Sequence, residues 1–200
     1  MNSIVGNCKR LSCDDIKNAN DCSLAYNVVL EEAYLWNLSN IAGVIDNFVF
    51  GDYSLKDLYI DNDIYKTIPS NPNDTHRNTI VSKDGHTLYG ILNYGITCLS
   101  NDNITDLKSD GMYRNTSLLS IHIDNDVYTT NADDTAIYTK DMKTIVRVVK
   151  AKNVSPGILD GVETIEAYTF SNSQAFTNLT TLNLNSVKQI NQYAFYDART

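Results

Sequence analysis

Two hundred residues with a formal net charge of −8 make one domain of ordinary size or one long repeat array. The acidic balance repels phosphate and argues against a nucleic-acid partner, no basic amphipathic stretch supports membrane docking, and the apolar runs are too short to span a bilayer. Asn, Asp, Ile and Tyr are abundant while Glu and Pro are scarce, a bias toward short strands joined by polar turns.

Met1 to Asn7 has no charged segment leading into an apolar one, so no secretory signal is visible; the expectation is a chain not exported by that route, or one whose signal was removed and a new Met added. Cys8, Cys13 and Cys22 crowd the start of the chain, and Cys98 stands far from them. Without a C-x-x-C pair, the spacing favours free, mostly buried thiols over a disulfide or a metal site. Leu24 to Leu38 is nearly all apolar and reads as a helix of about four turns or as two strands. Cys22-Ser-Leu24 leaves room for a degenerate first repeat. Residues 1–40 are assigned to an N-terminal cap or attachment segment, because an open solenoid end needs cover.

From residue 41 onward the chain repeats itself. Ser54 to Thr67 and Ser117 to Thr130 agree at eight of fourteen positions, with two further aliphatic exchanges, at a shift of 63. Within these blocks Leu58-Tyr-Ile60 and Ile121-His-Ile123 alternate apolar and polar, as does Leu182-Asn-Leu184 later on. Each is expected to be a strand with one buried face, stacked in parallel on the others. Behind the strands, Asn78 to Leu92 flanks Asp84-Gly85 and Thr135 to Lys150 flanks Asp141-Met142. Both are predicted hairpins, within inserts at about residues 61–100 and 124–159. A third block recurs as Ile104-x-x-Leu107, Val162-x-x-Ile165 and Val187-x-x-Ile190, a second short extended segment. It is followed by a small residue and a bulky one: Gly111-Met112, Thr169-Phe170 and Ala194-Phe195. The bulky residue should point inward, and the small one should admit a neighbouring backbone.

Val162-Glu-Thr-Ile-Glu-Ala-Tyr-Thr-Phe170, Leu179-Thr-Thr-Leu-Asn-Leu184 and Val187-Lys-Gln-Ile-Asn-Gln-Tyr-Ala-Phe195 together resemble the BspA-like leucine-rich-repeat family. That family reads V-x-x-I-x-x-Y-A-F, a short loop, then L-x-x-I-x-I. The insert with Tyr128, Tyr138, Asp141 and Ile145 is similar to one common in the family. The resemblance covers about residues 41–200. It departs at Met112, at a three-residue expansion between Asn172 and Thr177, and at Val49 or Phe50 in the earliest copy. It implies a mainly β chain: a right-handed parallel β-solenoid of leucine-rich-repeat type with inserted β-hairpins. It also implies adhesion or protein binding at the surfaces of bacteria and protists, with no catalytic residues and no cofactor to carry over.

The residues themselves offer little catalytic chemistry. His76 and His86 fall in or beside polar turns, His122 is exposed on a strand, and no nucleophile motif or glycine-rich phosphate loop is present. Asp61-Asn-Asp63 and Asp124-Asn-Asp126 recur in register; Asx turns account for them better than a weak cation site, since no Glu closes a calcium loop. The polar strand positions Asp57, Tyr59, Ser120, His122, Thr181 and Asn183 are expected to stack side by side as one binding face. The partner expected there is a protein or a surface glycan, for an adhesion module working outside the cell. The competing class is a structural subunit of a larger assembly such as a phage virion. The final repeat would then present Ile190 and Phe195 to further polypeptide, a second copy or another subunit.

Overall fold

The computed structural model describes residues 8–18, 29–41, 54–92, 95–108, 111–112, 115, 117–149, 155–171, 181–196 and 198. Every regular element among them is a strand. The chain divides into two compact units, Met1–Ile96 with Asp106–Asn115, and Thr97–Thr105 with Thr116–Thr200.

In the first unit, β1 (Arg10–Ser12), β2 (Glu32–Tyr34) and β3 (Asp57–Tyr59) form a parallel ladder in strict register, Leu11 beside Ala33 beside Leu58. The middle residue of each three points inward, and Leu30, Leu35, Leu55 and Ile60 bury the flanks. One such strand cannot bury its own apolar face; stacking makes the core continuous. Residues 1–40 therefore hold two rungs of this ladder. Of the two readings offered for Leu24 to Leu38, the described part, from residue 29, contains a strand and no helix. Cys22-Ser-Leu24 and the Val49–Phe50 copy lie outside the described residues.

After β3 the chain enters the first insert, an antiparallel meander of β4 (Tyr65–Ile68), β5 (Thr79–Ser82) and β6 (Thr87–Ile91). The β5–β6 hairpin turns at Asp84-Gly85 as expected, with Gly85 at φ 89°. On the far side β6 pairs in parallel with β8 (Asp106–Leu107), the first of the V-x-x-I segments. The insert thus extends the second sheet of the solenoid. At the small position, a β-carbon on Gly111 would stand 2.6 Å from the Tyr89 carbonyl oxygen, so only glycine fits.

The second unit repeats the scheme. β7 (Cys98–Ser100) and β9 (Ser120–His122) are parallel, with Leu99 and Ile121 facing inward. β10 (Tyr128–Thr130), β11 (Ala136–Thr139) and β12 (Thr144–Val148) form the second meander, and β12 continues in parallel to β13 (Thr164–Ile165) and β14 (Gln189–Ile190). The hairpin turns at Asp141-Met142, where Met142 adopts φ 60°. Both meanders carry an irregularity at the same place, between Ile80 and Val81 and between Ile137 and Tyr138. Phe170 is fully buried, and Phe195 stacks on it at 5.0 Å with the rings 6° from parallel. Thr169 fills the small position, its hydroxyl donating to the Glu166 carbonyl at 2.7 Å with the Ile145 and Val146 carbonyls at 3.2 Å.

Three expectations need correction. Leu58, Ile60, Ile121 and Ile123 are all buried, yet their strands lie in separate sheets. The reason is the inserts: the Leu58 amide donates to Arg77 O at 2.8 Å and the Ile121 amide to Asp134 O at 2.7 Å. Each meander thus folds a loop onto the strand edge that a further rung would need. Leu182 to Leu184 forms no strand; Leu182 packs against the core while Leu184 is exposed. Cys8, Cys13 and Cys98 form no disulfide but are not buried, Cys8 being exposed and the other two half-buried. Cys22 and the expansion between Asn172 and Thr177 lie outside the described residues.

Candidate functional site: the open face of the first ladder

The in-register ladder sorts the outward residues into rows. Arg10, Glu32 and Asp57 form one row, and Ser12, Tyr34 and Tyr59 the next. Parallel pairing without offset brings like positions within stacking distance, so the Tyr34 and Tyr59 rings lie 4.3 Å apart and 1° from parallel. The exposed Trp36 tilts against both, at 6.0 Å from Tyr34 and 5.6 Å from Tyr59. The outer faces of the tyrosine pair are covered by cations. The Arg10 guanidinium sits 5.5 Å from the Tyr34 centroid and Arg77 sits 5.8 Å from that of Tyr59.

Hydrogen bonds fix this arrangement. Arg10 Nε donates to Glu32 Oε2 at 2.9 Å, and the Tyr34 hydroxyl donates to the same oxygen at 2.8 Å. That bond, helped by desolvation, pushes the Tyr34 hydroxyl up to about 12, so it remains a donor at any physiological pH. Asp57 accepts the Arg77 amide at 2.7 Å and pairs with His76 Nδ1 at 2.8 Å. Arg77 also donates to Thr67 O, which holds the guanidinium over Tyr59. Beside this face Glu31 lies between Lys9 and Lys56, and the bond from Lys9 is the largest influence holding its carboxyl below the usual range.

The six residues expected to form one face fall on three segments that share no strand pairing. Asp57 and Tyr59 lie on β3 within the aromatic cluster. Ser120 and His122 lie on β9, beside Cys98 and Ser100. There the His122 ring pairs with Asp134, which raises its pKa, and no aromatic residue joins them in the paired rows. Thr181 and Asn183 are exposed on a segment without strand pairing. Sequence reading missed Arg10, Tyr34, Trp36 and Arg77. The signal for one of them was present: Leu30, Ala33 and Leu35 precede Leu55, Leu58 and Ile60 by a constant 25 residues, with Tyr34 at the place of Tyr59.

Asn62 and Asn125, the centres of the recurrent Asp-Asn-Asp triplets, do more than close Asx turns. Asn62 Nδ2 donates to the Trp36 and Leu38 carbonyls of the preceding rung, and Asn125 Nδ2 to those of Asp102 and Ile104. Their Oδ1 atoms accept the amides of Ile64 and Tyr65, and of Val127 and Tyr128. The neighbouring carboxylates Asp61 and Asp124 are each paired with a lysine, Lys83 and Lys140. Among the described residues no group of three His, Cys, Asp or Glu side chains is arranged to hold a metal ion, and no helix is long and apolar enough to cross a membrane.

Comparison with family models and with curated proteins finds no match. Among solved structures the chain is similar to a leucine-rich repeat protein from Eubacterium ventriosum, with a TM-score of 0.51 at 14% identity over 94% of this chain. The match spans 51% of that protein, so the chain corresponds to about half its length. The parallel ladders, the inward aliphatic residues and this likeness agree on the fold, a β-solenoid of leucine-rich-repeat type.

Proposed function

We propose that the chain is a non-enzymatic protein-binding module of BspA-like type, whose binding face is the outer side of β1–β3. One observation carries this reading. The only tryptophan of the chain is exposed on that face, packed with two tyrosines between two arginines. Tryptophan, tyrosine and arginine dominate the binding energy of protein interfaces, and a rigid ladder presents them without an ordering cost. Asp57 and Tyr59 belong to this face; Ser120 and His122 form a smaller polar one, and Thr181 and Asn183 lack the strand that would fix them. In this reading residues 1–40 supply the first rungs as well as any cover for the solenoid end. The setting is adhesion outside the cell, as the family resemblance implies, and a surface glycan is the weaker alternative ligand. Selecting binders from a displayed protein library and mapping them by hydrogen exchange tests the face. Protection at residues 10–12, 32–36 and 57–59 is expected, and protection confined to other strands would contradict it.

A second reading, a structural or accessory subunit of a larger assembly such as a virion, rests on the last repeat. There Leu184, Ile190, Tyr193 and Tyr196 are all exposed, and among the described residues β14 pairs with β13 alone. Tyr193 stacks on Tyr168 at 5.3 Å and Phe195 on Phe170, so the same stacking could be extended by one more repeat-like surface. Light scattering on the parent and on Ile190→Lys tests it. Concentration-dependent association that the variant loses supports assembly through this end; a parent that stays monomeric removes the support.

A further inference from the structure

We infer that the β1–β3 face recognises an acidic polypeptide segment, whose carboxylates meet Arg10 and Arg77 while an apolar side chain packs on Trp36. This deepens the protein-binding reading and depends on it. The charge argument is one of depth rather than number. Lys9 has its side chain 74% exposed against 33% for its partner Glu31, and Arg10 65% against 31% for Glu32. His76 is 46% exposed against 15% for Asp57. In the Lys9 and Arg10 pairs the cation stands outside and the carboxylate lies beneath it, and the His76 ring likewise lies outside Asp57; Lys56, at 29% against 33% for Glu31, is level with its partner. A ligand approaching this face therefore meets cationic heads, on a chain whose net charge is −8.

The same geometry disfavours a sugar. Pyranose recognition uses an open aromatic face and carboxylates free to accept from hydroxyls. Here the tyrosine faces are turned to each other and to guanidinium groups, which leaves Trp36 as the one exposed ring of the cluster. Glu32 already accepts from Arg10 and Tyr34, and Asp57 from Arg77 and His76. The Arg10 side chain stays 65% exposed while Nε at 2.9 Å and Nη2 at 2.8 Å hold Glu32 Oε2, so Nη1 is the nitrogen a ligand carboxylate would meet in a charge-assisted hydrogen bond.

Trp36 makes the test direct, because as the only tryptophan it reports alone on the face. Tryptophan-free peptides alternating Asp with Leu are titrated against the whole chain while its fluorescence is read. Peptides in which Lys or Gln replaces Asp, and an oligogalacturonate, run in parallel. A saturable change with the Asp peptide alone is expected, weakened at least about tenfold by Arg10→Ala and by a rise in salt across the Debye-screening range. Arg10 is exposed, so its variant should keep the parent's thermal transition; Lys9→Gln, on the same rim, gives a second and smaller loss. Equal response to the Lys or Gln peptides overturns the acidic preference and leaves the protein-binding reading standing. A response to oligogalacturonate alone overturns both. No response to any probe overturns the inference, and the library selection then decides the broader reading separately.

Discussion

In the first meander Asn62 bridges two rungs, Lys83 pairs with Asp61, and Arg77 O receives the Leu58 amide; in the second, Asn125, the Lys140–Asp124 pair and Asp134 O do the same for Ile121. The outer faces diverge. β3 carries Asp57 and Tyr59 beside a stacked aromatic row, whereas β9 carries Ser120 and His122 beside Cys98 and Ser100. The framework thus recurs in residues that hold backbone together, and the difference lies in the outward side chains of the ladders. Recognition is to be sought where the copies differ.

The largest expected effect breaks the framework at its bulky position. Phe170→Ala should cost about 3–5 kcal/mol in urea unfolding, because a fully buried ring leaves a cavity. Met112, its counterpart in the other unit, is also buried, and Met112→Ala should cost about 2 kcal/mol or more. A Phe170 loss below about 1 kcal/mol would mean that the ring is not a core residue. Next comes the bridging amide: Asn62→Ala and Asn125→Ala should each cost about 2–3 kcal/mol, since each removes four hydrogen bonds to backbone. Unequal losses would show that the two copies are not the same device.

The hairpin turns sharpen the comparison with opposite signs. Gly85→Ala puts a side chain at φ 89° and should destabilise by about 1 kcal/mol; Met142→Gly relieves φ 60° and should stabilise by about 0.5–1 kcal/mol. The smallest effect is that of pH. The bond to Asp134 raises the pKa of His122, so its contribution is fully present below the unfolded histidine value and is lost as pH rises through the higher folded one. The half-exposed pair is screened, which limits the effect to under about 0.5 kcal/mol. His122→Asn should flatten the stability profile just above pH 6.5, the usual value for the group.

The alternation at Leu58 and Ile121, both turn positions and the small-plus-bulky pairs were legible because each is set by residues close in sequence. The grouping of the strands was not. Leu182-Asn-Leu184 has the same alternation as Leu58-Tyr-Ile60, but a parallel strand needs a neighbour's edge, and Asp134 O already holds the Ile121 amide. That competition comes from an insert folding back, which spacing does not encode. The aromatic cluster was half legible. Tyr59 could be placed as an outward residue, while Tyr34 and Trp36 sit in a run so apolar that its period was ambiguous, and Arg77 reaches Tyr59 only through the fold of the meander.

The central claim, that the β1–β3 face and not the β7–β9 face carries recognition, is tested most directly by comparing two variants against one selected protein binder. Tyr34→Ser with Trp36→Ser removes the aromatic surface, and Ser120→Ala with His122→Ala removes the polar one. Affinity measured by calorimetry should fall at least about a hundredfold for the first pair, the scale of two interface hot spots, and stay within about twofold for the second. The reverse order, with both variants folded, would contradict the account.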